Sequence, residues 1–150
     1  MISVIGIGNA ASSIVENFKS QSGNYKVYQL GSEYKNTKYT KNLKHYDKPE
    51  DYEQNIPNLS KFFSDINENI QVFVVGSSYS SNYTLGVLEQ LRDKTLEVFY
   101  VRPDVELLTG VPKLLENMMF GVLQEYARSG LFKSLTILSN LEVENSIPRS

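Results

Sequence analysis

The stretch ISVIGIGNAASSIVENF, residues 2–18, joins an apolar run to two glycines one residue apart and then to a helical pattern. Gly6, Gly8 and Ala11 occupy the small positions of G-x-G-x-x-(G/A), a pattern that occurs between a strand and a helix. The glycines permit a tight turn, and free N–H groups at the helix start can hold a phosphate. The stretch therefore predicts a strand–turn–helix unit that binds a nucleotide or phosphate, or else a turn of the same shape that binds nothing.

The composition is that of an ordinary globular domain, with 150 residues, 41% hydrophobic residues, 21% charged residues and a net charge of -2. The absence of cysteine excludes disulfides and a cysteine nucleophile, and the single histidine, His45, excludes a multi-histidine metal site. No apolar stretch reaches the roughly 18 residues of a membrane span, and the first residues do not resemble a signal peptide. We therefore expect a cytoplasmic protein that has neither a nucleic acid nor a membrane as its partner.

Short apolar runs alternate with helical patterns along the chain. Six strands are predicted, at residues 2–7, 26–30, 39–43, 70–75, 96–101 and 135–138. Four helices are predicted, at residues 11–19, 59–66, 82–93 and 112–129, and the last has Met118 and Met119 in its apolar stripe. Such alternation, with strands that are apolar almost throughout, is typical of an α/β fold. We expect one Rossmann-like, doubly wound domain over residues 1–150, with a mainly parallel sheet of five or six strands and helices on both faces.

A polar segment, residues 34–58, interrupts this alternation. It contains five lysines and, after the last of them, a run of three acids, namely Lys35, Lys38, Lys41, Lys44, Lys48, Glu50, Asp51 and Glu53. Because the acidic run follows the lysines immediately, we expect a solvated surface excursion, with an anion-binding loop as the alternative. His45 lies in this segment and is expected to be a surface residue, because the sequence offers it no catalytic partner.

Four stretches occur in a fixed order along the chain. They are VIGIGNAASSIVENF (4–18), VFVVGSSYSSNYTLGVLEQL (72–91), LEVFYVRPDVELLTG (96–110) and LTILSNLEVE (135–144). This series resembles the tubulin/FtsZ family of GTPases, in which a strand, glycine loop and helix are followed by a second strand, phosphate loop and helix. The family continues with a strand and an R/K-P-x-x-x-E-G turn, and then with a strand that runs into a polar segment. The order and approximate spacing of all four pieces match over most of the chain.

The glycine pattern and this resemblance together imply a site for GTP or GDP, with Mg²⁺ only where a nucleotide is bound. The nucleotide-binding residues implied are Gly6, Gly8, Asn9, Ala10, Ala11, Ser12, Gly76, Ser77, Ser78, Tyr79, Ser80, Ser81, Asn82 and Glu106. Serine hydroxyls would add donors to the backbone N–H groups, and Tyr79 or Tyr83 can stack on a base. Glu106 is the nearest match to the glutamate with which the family contacts the ribose.

The chain also departs from the family. Residues 76–84 contain one glycine where the family has several, and the family's second domain and catalytic loop have no counterpart in these 150 residues. We therefore expect no catalytic residue in this chain, and GTP hydrolysis would need parts that lie beyond residue 150. The resemblance implies self-association into filaments or oligomers, and the richness in Asn, Lys, Tyr and Ser fits a phage or bacterial source.

Two other functions remain open from the sequence. The chain could be a non-enzymatic structural or interaction protein that keeps the fold without the ligand. It could also be a Rossmann domain that binds NAD or NADP, because Glu33 follows the second predicted strand. An acid at that place holds the ribose 2′-hydroxyl of a dinucleotide.

Overall fold

The computed structural model describes residues 1–21, 23–76, 83–103 and 108–139, and its framework is a six-stranded sheet. The strands are β1 (Ile2–Ile7), β2 (Tyr25–Gly31), β3 (Thr40–Asn42), β4 (Asn69–Val75), β5 (Thr95–Arg102) and β6 (Ser134–Ser139). They lie in the order β3-β2-β1-β4-β5-β6, and each neighbouring pair is parallel. The predicted α/β, Rossmann-like architecture is confirmed, because a parallel sheet needs helical crossovers between its strands.

The helices described in the structure differ in part from those predicted. They are α1 (Asn9–Val15), which continues as a 3₁₀ helix (Glu16–Gln21), α2 (Pro49–Gln54), α3 (Thr84–Gln90) and α4 (Gly110–Arg128). None of these helices has the length and apolar character needed to cross a bilayer. The start of α3 was predicted at Asn82, which lies outside the described residues.

The helix predicted at residues 59–66 is wrong. The segment forms a series of turns, in which the Phe63 N–H donates to the Leu59 carbonyl at 2.9 Å and the Ile66 N–H donates to the Phe63 carbonyl at 3.1 Å. Leu59 and Phe63 are nevertheless buried in the core, as their spacing suggested. Eight residues are too few to offset the cost of helix nucleation unless packing favours the helix. The 3, 4 spacing here therefore reports burial and not helical backbone.

Both faces of the sheet are covered. The α1 face contains a small core, whose buried members are Val4, Ala11, Val15, Val27 and Phe73. The opposite face packs against residues from α2, α3 and α4 and from the turns at 59–66, including Tyr52, Phe63, Val87, Leu88, Met119 and Leu123. Met119 is buried as predicted, whereas Met118 is 57% exposed. The near-continuous apolar strands are thus explained by two packed faces.

The polar segment at residues 34–58 is not wholly solvated, so that prediction is partly wrong. It contains β3 and α2, and Leu43 and Tyr52 are buried within the larger core. The Tyr52 hydroxyl donates to the Tyr46 carbonyl at 2.9 Å and accepts from the Tyr46 N–H at 3.0 Å. These apolar and aromatic side chains anchor an otherwise charged excursion to the sheet, which the charge pattern alone did not indicate.

Candidate functional site

The strand order places a topological switch point at the carboxyl edge of the sheet, beside β1. The connection from β1 leads to β2 on one side, while β4, β5 and β6 follow on the other side. Ile7 at the end of β1 pairs with Leu30 of β2 and with Val74 of β4. Open α/β sheets bind ligands at such a point, where the strand order reverses. The glycine turn, residues 6–11, lies at this position.

The geometry of the glycine turn accounts for both of its glycines. Gly8 has a φ of 96° and is the N-cap residue of α1, a backbone conformation that side chains disfavour. A Cβ on Gly6 would lie 2.7 Å from the backbone nitrogen and Cα of Ser12, so α1 approaches β1 too closely for any side chain there. Ala11 is fully buried, and its small size fits the same close approach.

Ser12 serves the fold, and the prediction that its hydroxyl binds a ligand is wrong. The hydroxyl is fully buried and has a single proton to donate, for which the carbonyls of Gly6 at 3.0 Å and Leu30 at 2.9 Å are both within reach. It also accepts from the Leu30 N–H at 3.1 Å, while the Ser12 N–H donates to the Gly8 carbonyl at 2.9 Å. Backbone groups at the ends of β1 and β2 would lack these partners without Ser12, because a buried polar group must be paired.

The first turn of α1 can offer a ligand its backbone N–H groups. The first amides of a helix have no acceptor within the helix, and no side chain of the described residues caps those of α1. The Asn9 side chain is engaged elsewhere: its Nδ2 donates to Ser32 Oγ at 2.8 Å, and its Oδ1 accepts from the Glu33 N–H at 3.0 Å. Of the predicted residues, Asn9, Ala10 and Ala11 can therefore offer a ligand only their main-chain groups.

The second predicted loop lies largely outside the described residues. The predicted site residues outside the described part of the chain are Ser77, Ser78, Tyr79, Ser80, Ser81 and Asn82. Glu106, which lies further along the chain, is also outside it. Gly76 is described: it is buried, its N–H donates to the Val101 carbonyl at 2.9 Å, and a Cβ there would meet the Tyr100 hydroxyl and the Glu116 carboxylate. The Gly76 N–H is thus paired with β5. The absence of a side chain at Gly76 leaves room for Tyr100 and Glu116.

Tyr83 does not stack on a base, so the prediction for this residue is wrong. Its side chain is 1% exposed and belongs to the larger core, where its ring packs edge-to-face on Tyr52 with 4.8 Å between centroids. Its hydroxyl donates to the Lys44 carbonyl at 2.7 Å. An aromatic ring next to a loop can face either the cleft or the core, and here the polar segment at residues 34–58 supplies the core partners.

Burial of Tyr83 predicts a loss of stability at alkaline pH. Burial raises the pKa of Tyr83 to about 12, and burial raises the pKa of Tyr28 to about 12 as well. The unfolded chain releases these protons near pH 10 and the folded chain near pH 12, so the free energy of unfolding should fall as pH rises through that window. Urea denaturation should show a plateau below about pH 9 and a smaller alkaline loss in Tyr83→Phe. An unchanged alkaline slope in Tyr83→Phe would contradict this assignment.

A buried polar cluster at the carboxyl end of β5 was not found from the sequence. The Glu116 side chain, on α4, has no exposed surface. Its Oε2 accepts from the Tyr100 hydroxyl at 2.5 Å, and its Oε1 accepts from Arg102 Nε at 3.1 Å. Burial, and next the hydrogen bond to Glu116, raise the pKa of Tyr100 well above its usual range. Tyr100, Arg102 and Glu116 are called the Glu116 cluster below.

Helical spacing was the signal that could have revealed the Glu116 cluster. Glu116 lies three residues before Met119 and seven before Leu123, both of which are buried. Residues three and seven apart lie on one face of a helix, so a charged residue in that series falls inside the apolar stripe.

The lysine-rich part of the polar segment borders a separate cavity. The cavity has a volume of about 500 Å³, and its lining includes Lys38, Lys41 and Lys61 together with Tyr28 and Asp65. None of its lining residues belongs to the glycine turn. The anion-binding alternative for this segment stays a prediction.

The described residues contain no group of three or more His, Cys, Asp or Glu side chains that could hold a metal ion. The His45 side chain is 62% exposed, and its Nδ1 lies 3.1 Å from the Tyr52 hydroxyl. His45 is thus a surface residue that borders the buried Tyr52 ring.

The parallel sheet with a glycine turn at its switch point defines a Rossmann-like α/β protein. Among solved structures, the crystal structure of the KRED1-Pglu enzyme is similar, with a TM-score of 0.53 and 13% sequence identity over 91% of this chain and 73% of that chain. At this identity the likeness shows the fold alone. No protein-family model and no curated protein matches the chain. The tubulin/FtsZ resemblance, with GTP and filament formation, stays a prediction.

Proposed function

We propose that this chain is a nucleotide-binding domain that takes NAD or NADP at the carboxyl edge of β1 and β4. The observation that carries the proposal is the left-handed Gly8, with a φ of 96°, between β1 and the first turn of α1, which no side chain in the described part of the chain caps. The likeness to the KRED1-Pglu enzyme supports it through the fold.

The glycine turn fits a pyrophosphate. Neither Gly6 nor Gly8 has a side chain, so the ligand can approach the backbone closely. The N–H groups of Asn9, Ala10 and Ala11 form the first turn of α1, and no side chain of the described residues caps them. Such N–H groups and the positive end of the helix dipole favour a negatively charged group. The protein's contribution at this end is therefore main-chain hydrogen bonding.

The segment after β2 fits the ribose. Glu33 is exposed there, two residues beyond Gly31, and its N–H is held by the Asn9 Oδ1 at 3.0 Å. Asn9 thereby links the phosphate-binding turn to the residue that would accept from the ribose 2′-hydroxyl. A carboxylate at this place favours NAD, because it repels the 2′-phosphate of NADP.

Calorimetric titration of the full chain with NADH, NADPH and GTP tests the proposal. We expect NADH to bind, and Gly8→Ala to weaken its affinity at least about tenfold, because a Cβ strains the turn and obstructs the phosphate. The matched control is Gly23→Ala. Gly23 has a φ of 93° in open space before β2, at the opposite edge of the sheet, so this variant has the same backbone strain without the site.

The other outcomes distinguish the rival functions. Binding of GTP with no response to either dinucleotide would favour the tubulin/FtsZ-like alternative. No heat with any of the three ligands, in a sample that is folded by circular dichroism, would favour an interaction protein without a nucleotide. Equal losses of NADH affinity in Gly8→Ala and Gly23→Ala would show that strain, and not the site, explains the effect.

A further inference from the structure

We infer that Arg102, held by Glu116, is an oxoanion-binding residue that recognises a carboxylate or phosphate group at the carboxyl edge of the sheet. The inference deepens the proposed function, on which its placement beside a nucleotide rests, by assigning a chemical class to the group bound near β5. The shared chemistry is an oxoanion that presents two oxygens to the guanidinium, and it can belong to a substrate or to the nucleotide itself.

Three contacts fix the Arg102 guanidinium. Its Nε donates to Glu116 Oε1 at 3.1 Å, its Nη2 donates to Asn117 Oδ1 at 3.3 Å, and its central carbon lies 4.0 Å from the centroid of the Phe120 ring. No described residue accepts from Nη1, and 27% of the side-chain surface is exposed. The guanidinium is thus held in one orientation, and the described residues leave part of its donor edge open.

Arg102 lies at the ligand-binding edge of the sheet. It is the last residue of β5, and the preceding Val101 pairs with Val75 at the end of β4. Since β4 also pairs with β1, Arg102 is two strands from the glycine turn, roughly 10 Å at the usual strand spacing. Glu33 lies beyond β2 on the other side of the turn. A dinucleotide with its ribose at Glu33 would extend toward Arg102 along this edge.

The burial of Glu116 indicates that the guanidinium has a purpose beyond anchoring α4. Glu116 is the one charged residue in the buried set of the described chain. A buried carboxylate is costly even when paired, and well-packed apolar residues often stabilise a fold as well as a buried ion pair does. The pairs Arg92–Glu89 and Arg128–Glu125 are exposed and have no such cost. The ion pair is buried on its carboxylate side, and its arginine side is partly exposed at the carboxyl end of β5.

The chemistry of the open edge selects the ligand class. A guanidinium is planar and always charged, and its N–H groups match the two oxygens of a carboxylate or phosphate. Lysine supplies the charge without this geometry. The Arg102→Lys variant therefore separates oxoanion recognition from simple charge attraction.

Side-chain NMR of the full chain, with ¹⁵N-labelled arginine, tests the inference. The chain has four arginines, Arg92, Arg102, Arg128 and Arg149, and the signal that disappears in Arg102→Lys assigns Arg102. Oxalate and inorganic phosphate are titrated separately, with and without NAD⁺. We expect a saturable shift of the Arg102 Nε–H signal, and shifts at Arg92 and Arg128 that do not saturate.

Three variants report the role of each residue. Arg102→Lys should weaken the affinity for oxalate about tenfold, because the paired N–H donors of the guanidinium are lost. The affinity is measured from the tyrosine signals, and the circular dichroism should stay unchanged. Glu116→Gln should weaken oxalate affinity to a similar degree at Arg102, because a neutral amide holds the guanidinium less firmly. Glu125→Gln, on the same helix, should leave the affinity unchanged. If Glu116→Gln does not fold, Arg102→Lys alone decides.

The titrations also identify the source of the oxoanion. A shift of Arg102 with NAD⁺ alone would assign the nucleotide phosphate, and a shift only on adding oxalate or phosphate would assign a substrate. Both results support the inference. An Arg102 signal that responds to none of the three probes, or that moves in parallel with Arg92 and Arg128, would overturn it. Because oxalate and phosphate are also tested without NAD⁺, failure of the dinucleotide to bind leaves this result interpretable.

Discussion

Replacement of Gly6 by valine should leave the chain unable to fold at room temperature. Even the Cβ of alanine would lie 2.7 Å from the nitrogen and Cα of Ser12 and 2.8 Å from the carbonyl oxygen of Ala11. All three atoms belong to the backbone of α1, so no side chain can rotate away and the helix itself must move. Overpacking of this kind costs about 3 kcal/mol or more, a large share of the stability of a small domain.

The prediction for Gly6 is tested by urea denaturation, which gives the free energy of unfolding of Gly6→Ala and of the control Gly121→Ala. Gly121 lies in the interior of α4, and a Cβ there meets nothing within 4 Å. Gly121→Ala should raise the free energy of unfolding by about 0.5–1 kcal/mol, because alanine favours the helix. The two substitutions add the same methyl group with opposite expected signs. A Gly6→Ala variant as stable as the wild type would contradict the close packing of α1 on β1.

Replacement of Glu116 by alanine should be the second most damaging change. It removes the acceptor of the buried Tyr100 hydroxyl and of Arg102 Nε, and it leaves a void beneath Gly76. Breaking a buried pair by removing one partner costs about 3–5 kcal/mol, and the partial exposure of Arg102 places the expected loss at the lower end, about 3 kcal/mol. Chemical denaturation followed by circular dichroism measures this loss.

The matched control for Glu116→Ala is Glu125→Ala. Glu125 lies on the same helix and pairs with Arg128, but both side chains are more than two-thirds exposed. An exposed pair contributes little, so the change should stay below about 0.5 kcal/mol. Addition of Arg102→Ala to Glu116→Ala should cost less than the sum of the two single losses, because the pair is removed together. Strict additivity would show that the two side chains do not interact.

The architecture was largely predictable from the sequence because two packed faces leave a simple pattern. Strands such as β4 and β5 are apolar on both sides, and the glycines at the end of β1 mark a turn too tight for side chains. The helix predicted at residues 59–66 was wrong because burial of Leu59 and Phe63 produces a helical spacing without a continuous series of helical hydrogen bonds. Local patterns report which side chains are buried more reliably than they report the backbone between them.

The candidate site was less predictable, because its side chains form hydrogen bonds with residues that are distant in the sequence. The Ser12 hydroxyl is hydrogen-bonded to the Leu30 carbonyl, and the Tyr83 hydroxyl is hydrogen-bonded to the Lys44 carbonyl, so neither hydroxyl is available to a ligand. Neither pairing has a local signature, because the residues meet only when the sheet forms. Glu116 could have been noticed as a charge in an apolar stripe, but its partner Arg102 is set by the register of α4 on β5.

The most direct test of the account is the response of the backbone amides of Asn9, Ala10 and Ala11 to NADH, measured by ¹H–¹⁵N NMR on the full chain. If these N–H groups bind the pyrophosphate, their signals should shift downfield and saturate with the calorimetric affinity, while the amide of Gly23 at the opposite edge stays in place. Unchanged signals for all three amides at saturating NADH would contradict nucleotide binding at the glycine turn.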